Sequence, residues 1–193
     1  MLSYEESLKI LKETNALIDG HFILSSGLHS PRYVQCAQLL SKPDKASKIC
    51  RSLSEKIKST FGDFDLILSP AMGGIIIGYE IGKLLNKETI FAERVNEKFV
   101  LRRDFNIKQN QKVLIIEDVI TTGKSSQECA KLVSQYNAEL IGYACIIDRS
   151  KKKSVLKEKI ISQIELDIPI YSHDNLPKEL SAIKAIKPGS RNL

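Results

Sequence analysis

Hydrophobic and polar positions follow two different periods along this chain, and the change from one to the other marks its helices and strands. Short runs that are almost wholly apolar, such as Val113–Ile116, are typical of strands buried on both faces of a parallel sheet. Segments with an apolar residue at every third or fourth position predict amphipathic helices. The two kinds of segment alternate between residues 64 and 147, which predicts a parallel sheet with right-handed helical crossovers. The predicted strands are 64–68, 89–92, 113–116 and 140–147, with an edge strand at 168–171, and the predicted helices are 3–18, 43–59, 75–86 and 126–136.

The first 60 residues lie outside this alternation. Ser3 followed by Glu6 is a capping box, and the apolar stripe of the helix that it starts reaches Leu17. The segment Gly20–Gln35 is rich in Gly, Ser and Pro and is predicted as a loop with short extended pieces. We expect the N-terminal part to form a small cap together with the C-terminal segment.

Length and composition are those of a soluble globular protein. The chain has 193 residues, enough for one domain with a sizeable core, and 42% of them are hydrophobic and 27% charged. Its N-terminus is acidic and polar, unlike a signal peptide, and its four cysteines have no metal-ligand spacing. Cys129 and Cys145 lie in a helix pattern and a strand pattern, so we expect them to be buried thiols in the reducing cytoplasm. The three histidines are far apart in sequence, which predicts no metal site, and His29 is expected to face solvent from a loop.

The formal net charge of +6 fits either a nucleic acid or a small anionic substrate. Its densest part is Lys151–Lys153 with Lys157 and Lys159, where no aromatic residues are interleaved for base stacking. A solvated loop and helix face is therefore the favoured interpretation of that run.

The strongest chemical signal follows the strand at Val113–Ile116. Glu117 and Asp118 come where that strand is predicted to end, which is the edge at which open α/β sheets bind ligands. Thr121–Ser125 then opens a helix with hydroxyls and free amides that suit a phosphate. This predicts a ligand with both sugar hydroxyls and a phosphate. A P-loop is excluded because Asp118 occupies the position of its first glycine.

This stretch resembles the phosphoribosyl-pyrophosphate (PRPP) motif of the type I phosphoribosyltransferases. The resemblance implies an α/β fold in which helices flank a parallel-sheet core and a small cap, or hood, covers it. The whole chain, 1–193, would be a single such domain, with the core at about 60–150 and the cap at about 1–40 plus the C-terminal segment. It also implies that the two acids hold the ribose and the loop holds the 5′-phosphate. The implied PRPP-binding residues of this motif are Glu117, Asp118, Val119, Ile120, Thr121, Thr122, Gly123, Lys124 and Ser125.

A second segment, Ser69–Gly74, also follows a predicted strand. Its two glycines allow close approach of the backbone to a ligand. It is similar to the family loop that binds the pyrophosphate of PRPP, which would place Met72 and Gly73 at the ligand. Many orotate phosphoribosyltransferases, which are members of this family, carry a lysine where this chain has Gly73. Backbone amides would therefore meet the pyrophosphate there. A purely structural turn is the alternative.

A third segment, residues 94–104, carries four cations in a polar stretch that is predicted to be mobile. It resembles the flexible catalytic loop of the orotate phosphoribosyltransferases, which reaches into the site of a neighbouring subunit. Arg94 and Lys98 would then bind PRPP, and the catalytic cation would be among Lys98, Arg102 and Arg103. A β-hairpin with a charged solvent face is the alternative.

The acceptor base is indicated by Phe22–Tyr33, which resembles the N-terminal signature of orotate phosphoribosyltransferases, with Ser25 where many members have a lysine. By position, Tyr33, Thr121 and Arg149 would bind orotate. An arginine suits this role because its planar fork can hold a carboxylate with two hydrogen bonds.

The resemblance implies transfer of the 5-phosphoribosyl group from PRPP to orotate, giving orotidine 5′-monophosphate and pyrophosphate. It further implies Mg²⁺ carried with PRPP rather than a dedicated metal cage, and a homodimer with shared active sites. Neither nucleic acid nor a membrane is expected as a partner. Two alternatives remain open: a purine phosphoribosyltransferase, and a nucleic-acid-binding regulator of the same fold that responds to PRPP.

Overall fold

The structure, a computed structural model, describes residues 1–150 and 154–188. The helices are α1 (Tyr4–Glu13), α2 (Cys36–Leu40), α3 (Pro43–Phe61), α4 (Gly73–Leu85), α5 (Lys124–Gln135) and α6 (Lys178–Ser181). The strands are β1 (Leu17–Ile23), β2 (His29–Val34), β3 (Leu66–Pro70), β4 (Glu88–Val95), β5 (Lys98–Leu101), β6 (Lys112–Ile120), β7 (Glu139–Asp148) and β8 (Ile160–Glu165).

Six of these strands form one sheet in the order β5-β4-β3-β6-β7-β8. All neighbouring pairs are parallel except β4 and β5, which form an antiparallel hairpin. The predicted strands at 64–68, 89–92, 113–116 and 140–147 are thereby confirmed as β3, β4, β6 and β7, each within a few residues. Their carboxyl ends meet at one edge of the sheet.

Two sequence predictions about single elements were wrong. The first helix ends at Glu13 rather than near residue 18, because Thr14 caps it through a hydroxyl bond to Ile10 and Asn15 turns left-handed at φ 57°. Leu17 therefore begins β1. The edge strand is β8 and not 168–171, where only Tyr171 makes an isolated bridge, to His29.

Helices cover both faces of the sheet. On one face, α3 and α4 pack against the side chains of Ile67, Leu114 and Ile116. On the other, α5 packs against Val113 and Ile115. The alternation of side chains along β6 thus decides which helix each residue meets. No helix in the described part of the chain is both long and apolar enough to cross a membrane.

Helix α4 lies unusually close to the sheet because glycines line its inner side. A methyl group at Gly78 would overlap the Ser69 hydroxyl, and one at Gly82 would overlap the Thr89 hydroxyl. At Gly74 it would come 2.9 Å from the carbonyl oxygen of Ile116. The contact between α4 and the strands therefore depends on the absence of side chains at these positions.

The cap is built from both ends of the described chain. Strands β1 and β2 form an antiparallel pair, and the C-terminal segment hydrogen-bonds to each of them. The His29 amide donates to Tyr171 O at 2.8 Å, and the Tyr171 amide returns a bond of 2.9 Å to His29 O. On the other strand, the Ile186 amide donates to His21 O at 2.8 Å.

His29 is buried beside His21 and lies near His173, so the expectation that it faces solvent was wrong. His21 Nε2 lies 2.7 Å from His29 Nδ1, and both side chains are buried. His21 Nδ1 donates to Ile183 O at 2.8 Å, and the rings of His29 and His173 are 5.7 Å apart. Burial, together with the two neighbouring imidazoles, lowers the pKa of His29. The three rings meet because the strands pair and the C-terminal segment folds back over them, neither of which the sequence spacing reveals.

The expectation of buried free thiols is confirmed for Cys129 and Cys145, and Cys36 and Cys50 are buried and free of disulfides as well. Of the lysine run, residues 151–153 lie outside the described part of the chain. Lys157 and Lys159 are exposed, as a solvated face predicts, but residues 154–159, which lead into β8, form a loop and not a helix.

Replacing Gly78 with alanine is expected to lower the free energy of unfolding by about 1–3 kcal/mol, since the new methyl group overlaps the Ser69 hydroxyl. Alanine has a higher helix propensity than glycine, so propensity alone predicts a rise in the free energy of unfolding. Urea denaturation would measure the change. The control is Lys83→Ala, at an exposed position of the same helix, for which we expect less than about 0.5 kcal/mol. Equal effects of the two substitutions would contradict the close packing of α4.

Candidate active site

The candidate site lies at the carboxyl edge of the sheet, where β6 runs on past its apolar core. The strand carries Glu117 and Asp118 and stays paired with β7 as far as Ile120. Helix α5 begins at Lys124, two residues before the predicted start. Gly123 precedes it at φ 78°, and a Cβ there would lie 2.6 Å from Ser154 Oγ. Only glycine fits this turn, which bends the loop back toward the sheet.

Glu117 and Asp118 point to opposite faces of β6 because the chain is still extended at both residues. Glu117 faces α5 and Asp118 faces α4. The two acids therefore do not form one equivalent pair, and each contributes to a different half of the site.

Glu117 is an acid with an unusual environment. Its side chain is buried, and its Oε1 has no hydrogen-bond partner among residues 1–150 and 154–188. Burial raises the pKa of Glu117 to about 7, the nearby charge of Asp118 adds to the shift, and the Ser126 hydroxyl opposes it. An oxygen of this kind is suited to accept a hydrogen bond from a ligand hydroxyl.

Asp118 lies directly against the start of α4. A Cβ built on Gly73 would come 2.8 Å from Asp118 Oδ1, so a side chain at that position would require the Asp118 carboxylate to move. The Val119 amide donates to the same oxygen at 2.9 Å. Burial raises the pKa of Asp118, and hydrogen bonds from the backbone of Val119 and of Asp118 itself partly oppose this rise.

The predicted pyrophosphate loop leads from the end of β3 into α4. It is tied to the neighbouring strand, since the Ala71 amide donates to Ala92 O at 2.8 Å. The peptide bond before Met72 is cis, and the Met72 side chain is 82% exposed. Helix α4 begins at Gly73, so its first amides lie at the same edge as the acids of β6.

The predicted lid is a β-hairpin, which is the alternative that the sequence left open. Strands β4 and β5 pair from Ala92 with Leu101 to Val95 with Lys98. Its two-residue turn, Asn96–Glu97, has positive φ at both positions (47° and 65°), as a tight hairpin turn requires.

Most of the hairpin's cations are held by acids that the sequence analysis missed. Arg94 Nη2 lies 2.8 Å from Glu128 Oε2, and its guanidinium lies over the Phe99 ring at 4.2 Å. The Glu93 carboxylate contacts Arg102 and Arg103, the two arginines that follow β5, whereas Lys98 is exposed at the hairpin turn. The sequence did contain a signal for a separate role of Glu93. It directly precedes Arg94 in an extended segment, so the two side chains must face opposite sides of the strand.

The three residues predicted to bind orotate come from separate elements. The Arg149 amide donates to Ile120 O at 2.8 Å, which sets Arg149 beside Thr121. The Arg149 side chain is half-buried, its Nε has no partner in the described part of the chain, and burial lowers its pKa. Tyr33 lies at the end of β2, three residues before Cys36, whose Sγ is 3.9 Å from Asp118 O. The Tyr33 hydroxyl donates to Gln35 Oε1.

Ser25 is exposed in the turn between β1 and β2. Over residues 1–150 and 154–188, no group of three or more His, Cys, Asp or Glu side chains is arranged to hold a metal ion.

Comparison with known proteins agrees with this geometry. A profile of the phosphoribosyl transferase domain matches residues 37–174. The orotate phosphoribosyltransferase of Parvibaculum lavamentivorans (strain DS-1) is 43% identical over the full length of both chains. That of Methylorubrum populi is 45% identical over 98% of this chain and 97% of the relative. Among solved structures, the orotate phosphoribosyltransferase from Aeropyrum pernix matches with a TM-score of 0.72 at 21% identity, over 82% of this chain and 92% of that one.

A helix-flanked parallel sheet, with two acids at the tip of a central strand and a hydroxyl-rich loop beyond them, defines a type I phosphoribosyltransferase, and the predicted fold class is confirmed. The full-length relatives identify the family within this class of enzymes. The chain belongs to the orotate phosphoribosyltransferase family, a family of pentosyl-transferring enzymes of pyrimidine biosynthesis.

Replacing Glu117 with glutamine is expected to stabilise the free protein at pH 8. Because the pKa of Glu117 is raised to about 7, the folded protein holds this proton more tightly than the unfolded chain does. Stability is therefore lost as the pH rises from about 4.5 to about 7. The uncharged amide avoids this loss, so we expect a gain of about 1–3 kcal/mol in the free energy of unfolding at pH 8 and little change at pH 5.

Urea denaturation at the two pH values measures the effect. Glu88→Gln, at an exposed position of β4, serves as the control and should change little at either pH. A gain for Glu117→Gln that is the same at pH 5 and pH 8 would contradict the burial of a charge at this position.

Proposed function

We propose that this chain transfers the 5-phosphoribosyl group of PRPP to orotate, giving orotidine 5′-monophosphate and pyrophosphate. The observation that carries the proposal is the position of Arg149. It is half-buried, its Nε has no hydrogen-bond partner among residues 1–150 and 154–188, and its amide is bonded to the residue before Thr121. A guanidinium in this position can hold a carboxylate with two hydrogen bonds, and the loop after β6 is the proposed phosphate site. The names of the full-length relatives support the same substrate.

The PRPP site is proposed to have two halves. Glu117 and Asp118 accept hydrogen bonds from the ribose hydroxyls, each from its own face of β6. The exposed hydroxyls and amides beyond them hold the 5′-phosphate, and Met72 and Gly73 border the pyrophosphate. Two members act through the backbone alone: Ile120 is buried, and Gly123 has no side chain. The full proposed set is Arg94, Lys98, Glu117, Asp118, Val119, Ile120, Thr121, Thr122, Gly123, Lys124, Ser125, Met72 and Gly73.

Chemistry at this site needs alignment and anion stabilisation rather than a strong protein base. Orotate N1 bonds to C1′ and releases its proton to water while the bond from C1′ to the pyrophosphate oxygen breaks, and the transition state places positive charge on C1′ and negative charge on the leaving pyrophosphate. Cations at the pyrophosphate therefore lower the barrier, and we assign this role to Lys98, Arg102 and Arg103. Orotate itself is held by Arg149, Thr121 and Tyr33.

Mg²⁺ is proposed to arrive bound to PRPP, whose oxygens supply most of its ligands. The acids of β6 suit such a complex, since Glu117 Oε1 is a buried carboxylate oxygen without a partner in the described residues. When bound, the ion neutralises charge on the leaving group.

A homodimer with shared active sites is proposed from an apolar stripe at the start of α4. Met72, Ile76 and Tyr79 are spaced by three or four residues, and their exposed fractions are 82%, 55% and 68%. A second copy of the chain would cover this stripe next to the pyrophosphate loop. We further propose a cytoplasmic enzyme with a single domain over 1–193, in which the cap of about 1–40 and the C-terminal segment closes over the core of about 60–150.

The direct test is the loss of orotate absorbance after PRPP and Mg²⁺ are added. Turnover of orotate is expected, and turnover of hypoxanthine or adenine instead would select the purine enzyme. No turnover of any base, together with tight retention of RNA or DNA, would select the nucleic-acid-binding regulator.

Replacing Arg149 with alanine should weaken orotate binding by tenfold or more and change PRPP binding much less, since the guanidinium is assigned to the orotate carboxylate alone. Separate KM values for the two substrates measure this. Arg32→Ala is the control, because Arg32 is a partly exposed cap arginine whose Nε is paired with Asp19. Equal weakening of orotate and PRPP by Arg149→Ala would show that the residue is misassigned.

A further inference from the structure

Glu93 stands at the point where the sheet meets the pyrophosphate loop. Strand β4 pairs with β3 up to Ala92 opposite Pro70, and the Ala92 carbonyl accepts the bond from Ala71. Glu93 is the next residue, so its backbone lies directly beyond the last contact between β4 and that loop.

The Glu93 carboxylate bridges two arginines. Arg103 Nε lies 2.8 Å from Oε1, and Arg102 Nη1 lies 3.4 Å from Oε2. The Glu93 side chain is only 19% exposed, whereas the two arginines are 58% and 59% exposed. One carboxylate thus fixes two guanidiniums that remain open to a ligand, and the cluster keeps a net positive charge.

Strand alternation puts this cluster on a defined side of the sheet. Thr89 faces α4, as its contact with the glycine side of that helix shows, so Glu93 four residues later faces the same side. Asp118 and Gly73 lie on this side too. Arg94 points the other way, to Glu128 on α5. The two arginines held by Glu93 therefore belong to the half of the site that contains the pyrophosphate loop.

The backbone after β5 supports the same arrangement. Arg103 and Asp104 both have left-handed φ values, 60° and 59°, which turn the chain back after the strand. The Arg103 guanidinium also lies 5.7 Å from the centre of the Phe91 ring, on the side of β4 that carries Glu93. This turn returns the arginine to Glu93 instead of letting it extend into solvent.

We propose that Glu93 is a positioning residue that holds Arg102 and Arg103 beside the pyrophosphate loop in the free protein and competes with pyrophosphate for them. The inference rests on the proposed function, in which these arginines meet the leaving group. A phosphate oxygen that binds either guanidinium displaces a carboxylate oxygen of Glu93. The residue therefore weakens binding of the anion while it keeps the cations in place for catalysis.

Replacing Glu93 with glutamine tests this, because the two roles change in opposite directions. Without the competing charge, pyrophosphate with Mg²⁺ should bind about threefold to tenfold more tightly, as expected for the loss of two partly exposed ion pairs. Without a carboxylate to fix the arginines, kcat should fall while KM for PRPP also falls. Calorimetry with Mg²⁺-pyrophosphate and steady-state kinetics measure the two effects.

The matched control is Glu97→Gln, which removes the same charge from the exposed turn of the same hairpin and should leave pyrophosphate binding within twofold. In an Arg102→Gln, Arg103→Gln background, Glu93→Gln should no longer tighten binding. Glu93→Asp, too short to reach both arginines, should act in the same direction and serves if the glutamine variant does not fold.

Weaker or unchanged pyrophosphate binding in folded Glu93→Gln would overturn the inference, as would tightening of equal size in Glu97→Gln. These results are separate from failure of the proposed function. If the wild-type protein neither binds Mg²⁺-pyrophosphate nor consumes orotate, the function itself is wrong, and the inference falls with it.

Discussion

The close contact between α4 and the sheet is the constraint on which the site depends. Hydroxyls of β3 and β4 occupy the space where side chains of Gly78 and Gly82 would stand, so the helix lies nearer to the strands than ordinary side chains permit. Its first turn is thereby brought against Asp118 and the end of β6. A loop that has to deliver backbone amides to a ligand needs such an approach, and the glycine side of the helix supplies it.

The second organising feature is that β6 remains a strand through both of its acids. Glu117 enters the layer of α5, together with the Arg94–Glu128 ion pair, whereas Asp118 enters the layer of α4. The site is thus divided by the plane of the sheet. Ion pairs from the β4–β5 hairpin reach each side, so one short hairpin is in contact with both halves.

The sequence predicted the parts of this fold that arise from local patterns. Each of these parts is recognised from neighbouring residues alone. They are the apolar runs of β3, β6 and β7 and the loop after Asp118. Strand β8 was missed because Ser162 and Gln163 interrupt its apolar pattern, and its pairing with β7 is what identifies it as a strand. The histidine cluster depends on contacts between distant segments, and no spacing in the sequence encodes those contacts.

The contact between Gly73 and Asp118 also limits how this chain can evolve. A side chain at position 73 would place its first carbon 2.8 Å from Asp118 Oδ1, so the Asp118 carboxylate would have to move to admit it. A single substitution to lysine would meet that carboxylate before it could supply charge to a ligand. The effects of substitutions at positions 73 and 118 are therefore expected to be coupled rather than additive.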